Sequence, residues 1–225
     1  MPLSLIEIEA LKLSLRVSLW AVCLSLPLGI LVAWVLSRKS FPGRVLIDGI
    51  VHLPLIVPPV VVGYILLLAF GRRGFIGSWL WETFQISISF SWKGAALAAG
   101  VMAFPLMVRS IRLGLDAVDP KLEQAAKTLG ASSFGVFFSV TMPLILPSIL
   151  TGAILAFARC LGEFGATITF VSNIPGETRT LPLALYTAVQ SPGGEVAALR
   201  LVLISVVIAL VALLVSEFLS RKARK

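Results

Sequence analysis

Charge is scarce in this chain. Only 13% of its 225 residues are Asp, Glu, Lys or Arg, while 58% are hydrophobic; a soluble domain carries roughly 25% charged residues. The apolar residues come in long blocks instead of recurring at helical period, which excludes a water-soluble core and calls for membrane spans. Histidine is nearly missing. His52 is the only one and has no Cys or His close by in sequence, so a structural metal site built from such residues is excluded. The two cysteines, Cys23 and Cys160, fall inside apolar runs and read as small buried hydrophobes. No Gly-x4-Gly-Lys-Ser/Thr phosphate loop occurs, so ATP chemistry must be supplied by another chain if it is used. Glu7 and Glu9 stand where the basic region of a cleavable signal would lie, and the first apolar run is therefore expected to stay as a span.

What charge there is has a net value of +8. The basic residues gather at the ends of apolar runs, as at Arg38, Lys39 and Arg44, or Arg221, Lys222, Arg224 and Lys225. That is the distribution of topology signals, not of a nucleic-acid surface.

Five spans are expected. Val17 to Leu36 contains 20 residues without a charge, enough to cross ~30 Å of hydrocarbon at ~1.5 Å per residue. Val45 to Phe70 forms the second and carries Pro54, Pro58 and Pro59, which should kink or interrupt it near mid-membrane. Such a break serves packing, or it lines a water-filled cavity. Further spans are expected from Ser91 to Val108, Leu144 to Val171 and Val196 to Leu219. The segments at 71–90, rich in Trp and Phe, and at 172–194 are expected to lie at the outer interface. With the C-terminus inside and the N-terminus outside, the inner segments hold eleven Lys and Arg and the outer ones seven, in keeping with the positive-inside bias.

The most informative stretch is 116–147. Asp119 followed by Pro120 is an N-cap with proline at the first helical position, and Gly130 stands where a C-terminal cap belongs. Between them Leu122, Ala125, Ala126 and Leu129 fall on one face, opposite Lys121, Glu123, Gln124, Lys127 and Thr128. A helix of this length is marginal alone in water, so a partner surface is expected on its apolar stripe; packing on its own protein is the other reading. The run Glu123-Gln-Ala-Ala-Lys-Thr-Leu-Gly130, nine residues, then Val140-Thr-Met-Pro143 resembles the Glu-Ala-Ala loop of bacterial ABC importer permeases. There the pattern is Glu-Ala-Ala, three residues, Gly, nine residues, Ile-x-Leu-Pro. Gln124 takes the family's Glu position, with Glu123 one residue earlier, and Val140 and Met142 replace Ile and Leu. His52 to Tyr64, Gly71 to Gly77, Ala158 to Ala166 and Asn173 to Arg179 resemble the molybdate branch of that family. The Leu-Gly-Glu-Phe-Gly-Ala and Asn-Ile-Pro-Gly elements are shared with sulfate and tungstate permeases.

The resemblance implies an all-α permease, a single transmembrane domain over 1–225 with five helices, or six if an amphipathic N-terminal helix is counted. It implies residence in the bacterial cytoplasmic (inner) membrane. It also implies that Leu122, Glu123, Gln124, Ala125, Ala126, Leu129 and Gly130 dock on the ATPase. The implied partners are two copies of that ABC ATPase, which holds the ATP and Mg so that this chain binds no cofactor, a periplasmic oxyanion-binding protein, and a second permease chain in a homodimer. The substrate implied is a tetrahedral oxyanion, molybdate in the first place, with sulfate or tungstate as alternatives.

Arg159 and Glu163 are the only charges well inside an expected span, four residues apart and hence on one helix face. Central charges cost ~2.5–3.5 kcal/mol on insertion and usually face a bundle interior or a wet cavity. Together with Pro58 and Pro59 they are candidates for the translocation path, and an internal ion pair fixing helix packing is the competing reading. Gly152, Ala156 and Cys160 repeat at the same interval and suit close helix contact. An ion-coupled secondary transporter would show an internal repeat and a carboxylate relay, and an intramembrane enzyme an acid/base pair or a ligand set; the sequence offers neither.

Overall fold

The computed structural model describes residues 4–222, and among these every regular element is helical. The order is α1 (Leu5–Arg38), α2 (Arg44–Ile56), α3 (Pro59–Phe70), α4 (Phe75–Phe84), α5 (Trp92–Asp116), α6 (Pro120–Thr128) and α7 (Ser133–Val136). A π-helical turn (Phe137–Thr141) then leads into α8 (Met142–Leu161), followed by α9 (Gly165–Val171), α10 (Leu181–Gln190) and α11 (Glu195–Lys222). Four helical stretches are long and apolar enough to cross a membrane, and a fifth arises if the bent pair α2 and α3 is one span. Of the basic cluster at the C-terminus, Arg224 and Lys225 lie outside the described residues, as do the side chains of Arg221 and Lys222.

The bundle is organised around α5. Its apolar window is 67% buried, against 11% for that of α11, so α5 is the core helix and α11 presents most of its surface outward. The faces that meet on α5 are lined with small residues: Ala95, Ala98, Ala99 and Ala103 are buried against α1 and α8, where Gly152 and Ala156 are buried in turn. Lipid gives apolar side chains no reason to leave it, so close van der Waals approach through small residues replaces the hydrophobic effect as the source of helix association.

The polar contacts fix the directions of the helices. Ser37 donates to Asp116 at 2.5 Å, placing the end of α1 beside the end of α5. Near their other ends, the Arg16 guanidinium lies 3.8 Å from the Trp92 ring centroid. The two helices therefore run parallel, and the chain between them must return across the bundle. The α2–α3 pair makes that return although its axes diverge by 115°. Arg200 at the start of α11 reaches Glu7 at the start of α1, at 2.8 Å, so α11 also runs parallel to α1.

Several expected boundaries shift. Helix α1 contains the expected span but begins at Leu5, well before Val17, because Ser4 and Glu7 form a capping box. In it the Glu7 carboxylate accepts from Ser4 N–H at 2.6 Å and the Ser4 hydroxyl accepts from Glu7 N–H at 3.3 Å. At 34 residues it is about 51 Å long at ~1.5 Å per residue and overshoots a ~30 Å core. No separate N-terminal helix exists among the described residues. Helix α5 continues past Val108 to Asp116. The fourth span is the largest correction: the continuous helical stretch is Ser133–Leu161, not Leu144 to Val171. Pro143 lies in the first turn of α8 and Pro147 inside that helix. Just before Pro143 the ladder widens, Met142 N–H bonding to the Phe137 carbonyl five residues back, which relieves the register a proline disrupts.

Candidate functional site: an exposed capped helix and two adjoining helix breaks

Helix α6 has the start and stop read from the sequence. The Asp119 carboxylate accepts from Lys121 N–H at 2.9 Å, and Pro120 occupies the first turn. At the other end Gly130 takes φ +88°. Its N–H bonds to the Lys127 carbonyl at 3.0 Å and that of Ala131 to the Ala126 carbonyl at 3.1 Å. These two bonds are the Schellman closure, which a left-handed glycine permits.

The apolar face of α6 is not covered by its own chain. No residue of the helix is buried; Leu122 is 48% and Leu129 89% exposed, and Ala125 and Gln124 are exposed beside them. Nothing lies within 4 Å of the position a Gly130 Cβ would occupy. Glu123 behaves differently. Its carboxylate receives Arg38 at 2.9 Å and the Thr141 hydroxyl at 2.9 Å, so it ties α6 to the end of α1 and to the π turn. Neither partner was legible in the sequence, because they lie 85 and 18 residues away. The sequence reading also passed over Phe134 on α7, a helix next to α6; its ring packs on Phe138 and is 75% exposed. Its signal was an aromatic cluster, Phe134, Phe137 and Phe138, directly after the capping glycine.

The other candidates converge in the middle of the bundle. At Val57 and Pro58 the chain turns by 115° between α2 and α3. The fourth span also breaks, between Leu161 and Gly165, so Arg159 and Glu163 do not share one helix as their spacing suggested. Glu163 lies beyond the end of α8 and bridges the break. One oxygen meets Arg159 Nη1 at 2.7 Å and the other accepts the Ala166 N–H, in the first turn of α9, at 2.9 Å. Its side chain is 2% exposed, that of Arg159 31%. A freed backbone N–H at that depth needs a partner, and this carboxylate supplies it.

The two breaks adjoin. A Cβ on Gly165 would fall 2.8 Å from Pro59 Cβ, and one on Gly63 would fall 2.5 Å from the Ala166 carbonyl oxygen. Only glycine at both positions lets α3 and α9 approach this closely. The fold thus brings Pro58, Pro59, Arg159 and Glu163 into one neighbourhood and leaves α6 at the end of the bundle where α1 and α5 finish.

An exposed capped helix at one end and two interrupted spans side by side in the middle suit a transport subunit driven from outside the membrane. A family model described as binding-protein-dependent transport system inner membrane component matches residues 25–225. The chain belongs to the binding-protein-dependent transport system inner membrane component family. It is 62% identical over 219 residues to the molybdenum transport system permease protein of Escherichia coli (strain K12), covering 97% of this chain and 96% of that one. The corresponding protein of Haemophilus influenzae is 58% identical over the same share. A sulfate transport system permease protein of Synechocystis is 38% identical over 88% of this chain and 73% of its own length.

Among solved structures, a bacterial ABC transporter that imports alginate matches with a TM-score of 0.78 at 19% identity, over 99% of this chain and 81% of that chain. A methionine ABC transporter in an inward-facing conformation matches with a TM-score of 0.68 at 14% identity, over 96% and 94%. At those identities the structures speak for the fold. The chain is thus an all-helical inner membrane transport component with the fold of ABC importer membrane subunits, the fold class that the resemblance implied.

Proposed function

We propose that this permease forms the membrane path of an ATP-driven importer for molybdate, moved by an ATPase that docks on α6. The substrate rests on the 62% identity across 97% of the chain to a molybdenum transport permease, well above the 38% to a sulfate permease. The docking assignment rests on α6 itself, a helix capped at both ends with Leu122 and Leu129 open to solvent. An apolar stripe on a nine-residue helix is stable there only if a groove receives it. In this reading Leu122, Gln124, Ala125, Ala126, Leu129 and Gly130 face the ATPase. Glu123 is instead a positioning residue that holds the helix through Arg38 and Thr141.

The orientation that fits has α6 and the C-terminus in the cytoplasm and the N-terminus outside. The parallel run of α1, α5 and α11 supports it, since their final turns end on the α6 side. Two permease chains meet two ATPases, and ATP and Mg stay with the ATPase. A periplasmic oxyanion-binding protein delivers the anion to the outer face. Arg159 offers a guanidinium beside the path where the two helix breaks adjoin; conduction requires that such help be brief, because the anion must leave again.

Uptake of labelled molybdate by the assembled transporter, with tungstate and sulfate as competitors, tests the substrate. Molybdate and tungstate should compete at micromolar excess and sulfate should not; competition by sulfate at equal concentration would overturn the assignment. Co-purification tests the docking. Gly130→Asp places a side chain at φ +88° and a charge on the contact, and it should release the ATPase. An intact complex would remove α6 as the docking element.

A further inference from the structure

Helix α2 is weakly held. None of its residues is buried, and its main packing partner is α5. Its polar fastening is concentrated at one residue. Arg112 Nη1, on α5, donates to both Asp48 oxygens, at 3.1 and 3.0 Å, and His52 Nδ1 lies 3.2 Å from the same carboxylate. Arg112 in turn stands 3.8 Å from Asp116, whose carboxylate accepts the Ser37 hydroxyl of α1. A cleft of about 380 Å³ lined by Asp48, His52, Arg109, Arg112, Leu113 and Asp116 opens over this cluster.

The position of this fastening in the chain matters. Arg112 precedes the start of α6 at Pro120 by eight residues, with a link of only three residues, 117–119, between the helices. Val118 within that link is buried, so α5 and α6 are joined by a short anchored connector. On the other side, Asp48 precedes the break at Pro58 by ten residues, and the chain from Asp48 to Ile56 is within α2. A displacement of α6 therefore reaches α5 directly, crosses to α2 at Arg112 and Asp48, and arrives at the junction where α2 meets α3. Packing alone gives α2 little grip for such a transfer, because it has no buried knob in its neighbour. A charged, multiply hydrogen-bonded contact is directional and holds where packing is thin.

We propose that the Asp48–Arg112 pair is the clamp through which movement of the docking helix reaches the broken span, and that both are positioning residues for transport. This rests on the docking role of α6. The pair stands on the wall of an open cleft, with side-chain exposures of 35% and 26%, so water can solvate either partner once the other is neutralised. Loss of the clamp should therefore uncouple the transporter without unfolding it. A merely structural ion pair would lower uptake and ATP hydrolysis together, or neither.

The test uses the full transporter with its ATPase and binding protein in proteoliposomes, reading molybdate uptake and phosphate release in parallel. Asp48→Asn and Arg112→Gln should each lower uptake at least five-fold while ATP hydrolysis stays within two-fold of the unaltered transporter. The charge-reversed pair Asp48→Arg with Arg112→Asp should regain more than half of the uptake. Unchanged uptake in the single variants overturns the clamp, as does an equal fall in uptake and hydrolysis. Should the single variants fail to assemble, the reversed pair decides: restored assembly and uptake support the clamp, and their absence overturns it. Failure of the docking reading would show separately, as ATPase retained by Gly130→Asp.

Discussion

Gly63→Ala places a methyl group at the tightest point between the two broken spans. An added Cβ would lie 2.5 Å from the Ala166 carbonyl oxygen, 2.9 Å from Ala166 Cα and 2.9 Å from Thr169 Cβ. Ordinary contact begins at 3.4 Å, and 3.4 − 2.5 leaves a deficit of about 0.9 Å. The first two obstacles are backbone, which cannot swing aside as a flexible side chain does, so α3 and α9 must separate by roughly that distance. Overpacking of this kind costs about 1–3 kcal/mol. Replacing a glycine inside a helix returns up to about 1 kcal/mol of propensity, which leaves a net loss of about 0–2 kcal/mol. In a chain of this size a loss of 1 kcal/mol lowers the unfolding temperature by about 2–4 °C. Gly49→Ala provides the opposing case. It also lies inside a helix but has nothing within 4 Å of its Cβ position, so only the propensity gain operates and the unfolding temperature should hold or rise. The assay is thermal unfolding of the detergent-solubilised transporter, with molybdate uptake measured beside it. Gly63→Ala should unfold earlier than Gly49→Ala and transport several-fold less, because the widened crossing involves Ala166, whose N–H is held by Glu163, and adjoins the contact of Gly165 with Pro59. Equal unfolding temperatures and full uptake in both would refute the close approach of α3 and α9.

Glu163→Ala removes the carboxylate that joins Arg159 to the Ala166 N–H. It should destabilise the transporter by about 1–3 kcal/mol, the usual cost of losing a charged hydrogen-bond partner, read as an earlier thermal transition. Arg159→Gln keeps most of the side chain's volume and removes its charge; uptake should fall at normal expression, and unchanged uptake would take Arg159 out of the path. Glu7→Ala breaks the capping box and strands Arg200, so the α1–α11 contact should loosen by about 1–3 kcal/mol, visible as faster proteolysis of the N-terminal segment. Glu123→Gln should weaken the hold of Arg38 on α6 and lower ATPase retention less than Gly130→Asp does, since the apolar contact face stays whole; an equal loss would place Glu123 in the contact itself.

The caps of α6 were legible because capping is local chemistry. An Asp–Pro start and a glycine stop act within a few residues, and the structure forms both. Proline was legible where it ends a helix, at Pro58 and Pro59; Pro143 instead follows a π turn into the first turn of α8, and Pro147 lies inside that helix. Hydropathy marked the apolar runs but not their helical limits. The first turns of α1 are set by Ser4 and Glu7, and α8 ends at a break over 162–164, which holds Glu163, before the chain resumes as α9 to Val171.

That the chain is a membrane protein, and that 120–129 is a self-capped helix with one apolar face, follows from local sequence, since long apolar runs and helix caps depend on near neighbours in the chain. Local sequence carried the family as well, through the spacing of Ala125, Ala126, Gly130 and Pro143. Packing of the whole bundle is what turns Glu123 inward to Arg38 and Thr141, brings Asp48 to Arg112 across 64 residues, and sets the breaks in two different spans side by side. Those facts come from how parallel helices pack through small residues, and no local pattern encodes which distant charges that packing will bring within hydrogen-bond reach.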